Sequence, residues 1–282
     1  MIEAFIESWP LFQNTYLTGW SLSLLLALIG VVVVARDQVF LGLAVSQASL
    51  LGVASGMWLA TLFPQLTHLG NEHAWWLSLC SMAFAMVAAV VTSRQAAPGR
   101  ETPESITGWV YAFTAALAVL LLSRSPHGLE EVHRLLSSTI IGASSSDVVL
   151  FVSLLAVSLL GIARWRESIT LLVMDAEMAG AVGLSVRRWQ VFLSLWAAIV
   201  VGLSIRVSGL LFTFGCLVLP SLVAKNLVRE VRAMFWVAPL ISLGSTFCAF
   251  VAAHGYDFPP GQLAVAIQGL LLLGGWSLRR SR

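Results

Sequence analysis

Long apolar segments dominate this chain and restrict it to folds that a lipid bilayer can accommodate. A helix needs about 20 mainly apolar residues to cross the hydrocarbon core. Nine segments suit such a crossing, at residues 15–35, 39–63, 75–92, 106–122, 148–163, 189–205, 207–224, 233–253 and 262–278. Only 11% of the 282 residues are charged, against about 25% in soluble domains. The sequence predicts an all-α integral membrane protein, a polytopic helical bundle of about nine (eight to ten) transmembrane helices, formed by residues 1–282 as a single domain.

The basic residues predict the orientation of these helices. Lys and Arg concentrate in cytoplasmic loops of membrane proteins, and here they follow the first, third, fifth, seventh and ninth segments: Arg36, Arg94, Arg100, Arg164, Arg166, Arg187, Arg188, Lys225, Arg229, Arg232, Arg279, Arg280 and Arg282. This alternation predicts a multi-pass protein of the inner (plasma) membrane with its N-terminus outside and its C-terminus in the cytosol. It requires Arg206 to lie in a tight outer turn between the sixth and seventh spans; otherwise the count falls by one or two.

The first 14 residues differ from a cleaved signal peptide. They contain Glu3 and Glu7 but no Lys or Arg, whereas a signal peptide begins with a basic region. Trp9 is suited to the boundary between lipid and water, where tryptophan is enriched. We therefore predict that residues 1–14 are retained as an interfacial segment.

Composition also excludes several functions. A net charge of +2 makes nucleic acid an unsuitable partner, and the single lysine, Lys225, is in no Gly-rich loop that could bind phosphate. Cys80, Cys216 and Cys248 lie in apolar segments without CxxC spacing, and neither HExxH nor GxSxG occurs. The chain is therefore predicted to be no enzyme and to bind no cofactor itself, so any ATP hydrolysis belongs to another chain.

Residues 174–184 are an acidic, small-residue segment between two long apolar ones. Asp175 is suited to an N-cap, Glu177 would lie in the first turn, and Gly183 can end the helix in a left-handed conformation. Four residues between them are small: Ala176, Ala179, Gly180 and Ala181. The segment therefore predicts a short cytosolic helix that contacts a partner protein; the alternative is a simple connecting helix.

The five histidines, His68, His73, His127, His133 and His254, are all predicted in outward loops. Helical spacing within residues 127–134 would place His127 beside Glu131 and Glu130 beside His133. This pattern is compatible with a weak outer metal site or with a solvated helix carrying ordinary ion pairs.

Four stretches together resemble the permeases of ABC importers that take up zinc, manganese or iron, the ABC-3 family. They are FLGLAVSQASLLGVASG from Phe40, MDAEMAGAVGL from Met174, RVSGLLFTFGCLVLPSLVA from Arg206 and YDFPPG from Tyr256. The resemblance implies a permease that pairs with a second copy or a paralogue and receives substrate from an extracytoplasmic binding protein. It also implies that the helix starting at Asp175 binds two cytosolic ATP-binding cassette subunits, which hold ATP and magnesium.

The second predicted span departs from this family at the expected metal ligands. Family members that carry free metal ions have an aspartate followed four residues later by a histidine, and these positions are Leu43 and Gln47 here. Neither provides a charged ligand for a dehydrated divalent ion. Gln47, with Ser46, Ser49 and Ser55 nearby, instead offers hydrogen bonds to a chelate or organic solute, or between helices. Met57 is either a soft ligand on this pathway or a core residue.

Two further sets of residues carry alternative readings. Gly209, Gly215 and Pro220 form either a bendable gate or a site of close helix packing. Asp257, Pro259 and Pro260 form either an outer turn that starts the last span or, for Asp257, part of a gate.

Two other kinds of transporter remain as alternatives. An ion-coupled secondary carrier would need buried ionisable residues, and Asp147 lies only at a predicted span end. The second alternative is an ABC permease for a small solute that contains no metal.

Overall fold

The computed structural model describes residues 2–62, 73–93, 102–123 and 140–280. All regular elements in these ranges are helical. The ten α-helices are α1 (Ile2–Ala35), α2 (Val39–Leu62), α3 (His73–Thr92), α4 (Pro103–Ser123), α5 (Ser145–Arg164), α6 (Arg166–Met174), α7 (Ala176–Ala181), α8 (Val186–Leu227), α9 (Val231–Tyr256) and α10 (Pro260–Arg280), with a 3-10 turn at Ile140–Gly142.

Six described helices, α1, α2, α4, α5, α8 and α9, are long and apolar enough to cross a membrane. Helix α3 adds a shorter apolar stretch, Trp76–Thr92. All nine predicted segments lie on helices, apart from residue 63, which falls outside the described residues. The prediction of an all-α polytopic membrane protein is therefore confirmed.

Contacts divide the chain into two compact units, which are described separately. Unit 1 comprises Met1–Asp37, Thr139–Val186 and Val207–Arg282, and unit 2 comprises Gln38–Ser138 and Arg187–Arg206. The boundary therefore cuts α8 into a first part in unit 2 and a second part in unit 1. The prediction of a single domain stays a prediction.

Helix α1 is the central helix of unit 1, and α9 packs antiparallel to it. The Ser242 hydroxyl donates to the Ser23 carbonyl at 3.0 Å, while Val31 packs against Met234 and Ala238 near the start of α9. Helix α10 is antiparallel to α9, since it begins just after the end of α9 and Gln268 donates to Ser245 at 3.0 Å.

The second part of α8 runs parallel to α1. The Ser221 hydroxyl donates to the Ala27 carbonyl at 3.2 Å, and Lys225 reaches Asp37 just after the end of α1. Gly30 allows this contact, because a Cβ there would lie 2.8 Å from both the Leu217 carbonyl carbon and the Ser221 hydroxyl.

Helix α5 begins beside the N-terminal part of α1. The Asn14 amide donates to the Ser145 hydroxyl at 3.2 Å, and a capping box between Ser144 and Asp147 starts the helix. Because α5 and residues 15–35 of α1 are both apolar and must share one bilayer, α5 runs alongside α1 in the same direction. Helices α6 and α7 therefore follow at the end of unit 1 where α1 ends.

The chain reverses within α8, and the position of the reversal corrects the prediction. Val186 follows α7, and Lys225 lies beside Asp37, so both ends of α8 lie at the same end of unit 1. The helix is interrupted at Gly209 (φ 77°, ψ 171°), a backbone conformation that favours glycine. Arg206 itself is helical, so the turn predicted there is wrong; the break comes at Gly209, where the positive φ is tolerated.

Unit 2 joins α2, α3, α4 and the first part of α8. Ser49 and Ser81 share a hydrogen bond between α2 and α3, and Ser81 also donates to the Gly202 carbonyl of α8 at 3.0 Å. Gly52 permits the close approach of α2 to α3, because a Cβ there would lie 2.7 Å from the Ser81 Cα. Hydroxyl bonds and glycine contacts of this kind are typical of helix packing in lipid.

Candidate functional site

Helix α7 is capped at its N-terminus as the sequence predicts. Asp175 has an extended backbone (φ −152°, ψ 99°), and its carboxylate accepts a hydrogen bond from the Met178 amide at 2.9 Å. Glu177 lies in the first turn and is exposed. An acidic side chain there interacts favourably with the positive end of the helix dipole, so the sequence specifies where this short helix begins.

The C-terminus of α7 is closed by Gly183 in the left-handed conformation (φ 92°). The Gly183 amide donates to the Gly180 carbonyl, and the Leu184 amide donates to the Ala179 carbonyl, each at 3.0 Å. These two bonds form a Schellman motif. The predicted helix end at Gly183 is confirmed, and α7 is a rigid unit of six residues with both ends satisfied.

An exposed apolar stripe runs along α7 and its flanks. Met174 at the end of α6, Met178 and Val182 are 69%, 58% and 68% exposed, and the spacing of four residues places Met178 and Val182 on one side of α7. On the inner side, Ala179 is fully buried. The small residues of this segment were predicted to form its contact surface and the stripe was not predicted, although the spacing of four between Met178 and Val182 is visible in the sequence.

Helix α6 connects α7 to the body of unit 1. Ile169, Leu172 and Val173 are buried, and α6 contacts α1, α5 and α9. Because tightly packed interiors transmit displacement instead of absorbing it, a force applied to α7 would reach three long helices of unit 1.

Most described basic residues of unit 1 lie at the same end as α7. They follow α1, flank the junction of α5 and α6, or lie at the end of α8, at the start of α9 or between these two helices: Arg36, Arg164, Arg166, Lys225, Arg229 and Arg232. We call this end the basic end. The turn between α9 and α10 lies at the opposite end of the unit.

An ion pair at the basic end joins two segments that are far apart in sequence. The Lys225 Nζ lies 2.6 Å from an Asp37 carboxylate oxygen and 3.5 Å from the Val34 carbonyl. Asp37 has a positive φ of 53°. Lys225 thus contacts both the end of α1 and the turn that leads to α2; sequence spacing alone contains no signal for this pair.

The predicted pathway residues on α2 have different surroundings. Leu43 and Gln47 are half-buried and lie one turn apart on the same face, and Gln47 makes no hydrogen bond with a described residue. Ser46 is fully buried, and its hydroxyl has no hydrogen-bond partner in the described part of the chain. Ser46 and Gln47 therefore retain unused hydrogen-bonding capacity.

The other polar or sulfur-containing candidates on α2 are engaged in packing. Ser49 bonds to Ser81, and Ser55 donates to the Gly52 carbonyl of its own helix at 2.9 Å. Met57 packs against the apolar cluster of Leu50, Leu51, Val53 and Ala118. These contacts agree with the alternative that the three residues serve helix packing, while a role for them in transport stays a prediction.

The three predicted gate residues on α8 also differ from one another. Gly209 interrupts the helix, and the flanking Ser208 and Thr213 hydroxyls bond across the break at 3.0 Å. Gly215 packs closely against Val265 of α10, while Pro220 is buried within the helix. Gly209 thus supplies a reversal, and Gly215 a helix contact.

The YDFPPG segment forms the turn between α9 and α10. Asp257 caps α9 in the left-handed conformation (φ 53°), and α10 begins at Pro260, directly after Pro259. Proline is favoured in the first turn of a helix because its missing N–H would have no intrahelical partner there. The predicted turn is confirmed, and a gating role for Asp257 stays a prediction.

The described residues contain no group of three or more His, Cys, Asp or Glu side chains able to hold a metal ion. His254 lies in the last turn of α9 and His73 begins α3, so both lie at helix ends and the loop prediction is wrong for them. Helices α3 and α9 are longer than the apolar segments at residues 75–92 and 233–253, and they therefore include these two histidines. The remaining histidines and the predicted site of His127, Glu130, Glu131 and His133 lie outside the described residues.

Comparison with known proteins agrees with this architecture. The sequence profile described as the ABC 3 transport family matches residues 8–278. The chain belongs to the ABC 3 transport family. It is 25% identical over 255 residues to a Thermotoga maritima protein named "Probable metal transport system membrane protein", covering 90% of this chain and 85% of that protein. It is 20% identical to the high-affinity zinc uptake system membrane protein ZnuB of Haemophilus influenzae, with 91% and 93% covered.

The fold of this ABC 3 family member also matches a solved structure. PsaBC from Streptococcus pneumoniae in complex with Fab superposes with a TM-score of 0.80 at 17% identity, covering 98% of this chain and 95% of that chain. The protein is therefore a multi-pass membrane permease with the fold of its family.

The N-cap of α7 yields a prediction that is independent of any partner. Replacing Asp175 by alanine removes the acceptor for the Met178 amide and should cost about 1 kcal/mol of local stability. Hydrogen exchange of that amide should accelerate about fivefold, in line with such a loss. Asp175→Asn is the matched control, because asparagine caps equally well without the charge. Equal protection in the alanine variant and the wild type would contradict the capping role.

Proposed function

We propose that this chain is the membrane permease of an ABC importer for divalent metal ions, with zinc or manganese as the leading cargo. It would act with a second permease copy or paralogue, two cytosolic ATPase subunits and an extracytoplasmic binding protein. Family membership and the zinc-uptake relative support the cargo. The observation that carries the coupling role is helix α7, which is capped at both ends, exposes Met178 and Val182 along one side and packs through α6 onto unit 1.

The charge distribution supports an orientation with α7 in the cytosol. Basic residues are concentrated on the cytosolic side of membrane proteins, and α7 lies at the basic end of unit 1. Helix α1 starts at the opposite end, and α10 runs back to the basic end, where Gly275 adjoins Asn226 of α8. The N-terminus would then be outside and the C-terminus in the cytosol.

In this mechanism the chain transmits motion and performs no covalent chemistry. When ATP draws the two ATPase subunits together, their movement displaces α7, and α6 passes that displacement to α1, α5 and α9. The central path would be open outward before this step and inward after it, or the reverse, because packed helices adopt discrete alternative arrangements.

A metal chelate is a second candidate cargo, favoured by Leu43 and Gln47. Bare divalent ions are held best by carboxylate and imidazole groups, and this face of α2 has neither. A chelate arrives with its metal already coordinated, so that amide and hydroxyl groups such as those of Gln47 and Ser46 suffice to bind its periphery.

Uptake by the complete transporter in proteoliposomes tests this proposal. The probes are free radioactive zinc, free radioactive manganese and ferric citrate, each with ATP supplied on the side of the ATPases. ATP-dependent uptake of a free ion supports the leading cargo, and uptake of ferric citrate alone supports the chelate. Uptake that persists without ATP and follows an imposed proton gradient would contradict the ABC mechanism.

Gln47 is the side chain whose replacement best tests the pathway on α2. If it contacts cargo, Gln47→Leu should lower the initial uptake rate about tenfold, since one lost hydrogen bond to a charged group is worth about 1.5 kcal/mol or more. Ser55→Ala is the control, because that hydroxyl bonds only within its own helix. The same uptake rate in Gln47→Leu and wild type would remove Gln47 from the pathway.

A further inference from the structure

Unit 1 contains a buried polar cluster that lies apart from α7 and from the pathway predicted on α2. The cluster comprises Cys216 of α8, Ser242, Ser245 and Thr246 of α9, and Gln268 of α10. Gln268 and Thr246 are both 0% exposed. Polar groups buried between membrane helices are unfavourable unless they have hydrogen-bond partners, so each polar atom of this cluster is expected to have one.

Most of the hydrogen-bond donors in the cluster are already used. The Gln268 amide nitrogen donates to the Ser245 hydroxyl at 3.0 Å and lies 3.5 Å from the Cys216 sulfur. The Ser245 hydroxyl donates to the Ser242 carbonyl, and the Ser242 hydroxyl donates to the Ser23 carbonyl of α1, each at 3.0 Å.

Two buried atoms of the cluster, Gln268 Oε1 and Thr246 Oγ1, have no hydrogen-bond partner among the residues that the structure describes. Rotating the Gln268 amide by half a turn would not remove the unsatisfied group. The amide nitrogen would then take the place of Oε1 and would itself lack a hydrogen-bond partner there. The two ends of the amide are about 2.2 Å apart, so Oε1 lies beside the cluster. The Thr246 hydroxyl adjoins the Cys216 sulfur.

We propose that an enclosed water molecule occupies this cluster. It accepts a hydrogen bond from Thr246 Oγ1 and donates to Gln268 Oε1 and, more weakly, to Cys216 Sγ. Buried waters typically make about three hydrogen bonds, mostly to groups that are otherwise unsatisfied. Thr246 Oγ1 and Gln268 Oε1 are two such groups, and the Cys216 sulfur, a weak acceptor, supplies the third contact. The water thereby connects α8, α9 and α10. This site does not depend on the cargo or on the ATPase partners.

Radiolytic labelling of the full-length protein in lipid nanodiscs tests the site. X-ray pulses generate hydroxyl radicals from bound water, and the oxidation of each cysteine is measured by mass spectrometry. We expect Cys216 to be oxidised although N-ethylmaleimide does not modify it, because the water is enclosed. The protein unfolded in sodium dodecyl sulfate, in which maleimide should modify Cys216, is the positive control for the reagent.

Two variants locate the water. Gln268→Leu and Thr246→Val should each lower Cys216 oxidation at least fivefold, and the second nearly preserves side-chain shape if the first fails to fold. Gln47→Leu, which removes an amide in unit 2, should leave Cys216 oxidation within twofold of the wild type. The proposal is overturned if wild-type Cys216 stays unoxidised at doses that oxidise Met178, if maleimide modifies Cys216, or if both cluster variants retain wild-type oxidation.

Discussion

Replacing Gly30 by alanine is expected to destabilise unit 1 by about 3 kcal/mol, at the upper end of the usual cost of overpacking. The added Cβ would lie 2.8 Å from both the Leu217 carbonyl carbon and the Ser221 hydroxyl. A backbone carbonyl cannot rotate away as the end of a flexible side chain can, so α1 and the second part of α8 must separate. That separation also strains the bond from Ser221 to the Ala27 carbonyl and the Lys225–Asp37 pair.

Unfolding in detergent, followed by circular dichroism, measures this loss. Gly244→Ala on α9 is the matched control, because a Cβ there meets nothing within 4 Å and alanine is the better helix former by about 1 kcal/mol. We therefore expect the two Gly→Ala substitutions to shift stability in opposite directions. If Gly30→Ala unfolds with the wild-type midpoint, the close approach of α1 and α8 is wrong.

Replacing Met178 by lysine is expected to reduce coupling to the ATPase subunits about 30-fold. Met178 is 58% exposed at the centre of the stripe formed by Met174, Met178 and Val182, and central apolar contacts of an interface are worth about 2 kcal/mol or more. Lysine would place a charge in that contact, where desolvation disfavours it. Because Met178 faces away from unit 1, the permease itself should fold normally.

Two measurements separate loss of coupling from loss of folding. Co-purification of the ATPase subunits and their stimulated hydrolysis should both fall in Met178→Lys, while the melting temperature of the isolated permease should stay within about 2 °C of wild type, as for a surface change. Met178→Leu is the control, since it keeps an apolar side chain of similar size. Intact assembly and stimulation in the lysine variant would exclude the stripe as the ATPase contact.

Local features of the coupling segment could be predicted from the sequence because its signals act over a few residues. An N-cap side chain accepts a hydrogen bond from an amide three residues later, and a glycine in the left-handed conformation ends the helix that directly precedes it. Asp175 and Gly183 were therefore sufficient to predict both ends of α7. The exposed stripe was missed because the neighbouring residues that bury Ala179 and leave Met178 outside are not local.

The wrong prediction of a turn at Arg206 arose because hydropathy does not locate a helix break precisely. Arg206 and Gly209 are both compatible with the edge of an apolar segment, and hydropathy favours a turn at the charge. Only the tertiary structure shows that helix continues past Arg206 and ends where glycine accepts a positive φ. For Ser49 the sequence left a pathway role and helix packing open, and only the tertiary structure shows the hydrogen bonds that link Ser49 to Ser81 and Ser81 to Gly202.

The sequence by itself determined the helical membrane class, the family, the alternation of basic loops and the caps of α7. These depend on composition and on spacing within a few turns, where the bilayer and the backbone impose the rules. The tertiary structure alone decided which helices meet at Gly30, which carboxylate Lys225 pairs with, and which polar atoms surround Gln268. Those contacts join segments up to 194 residues apart, so no local pattern encodes them.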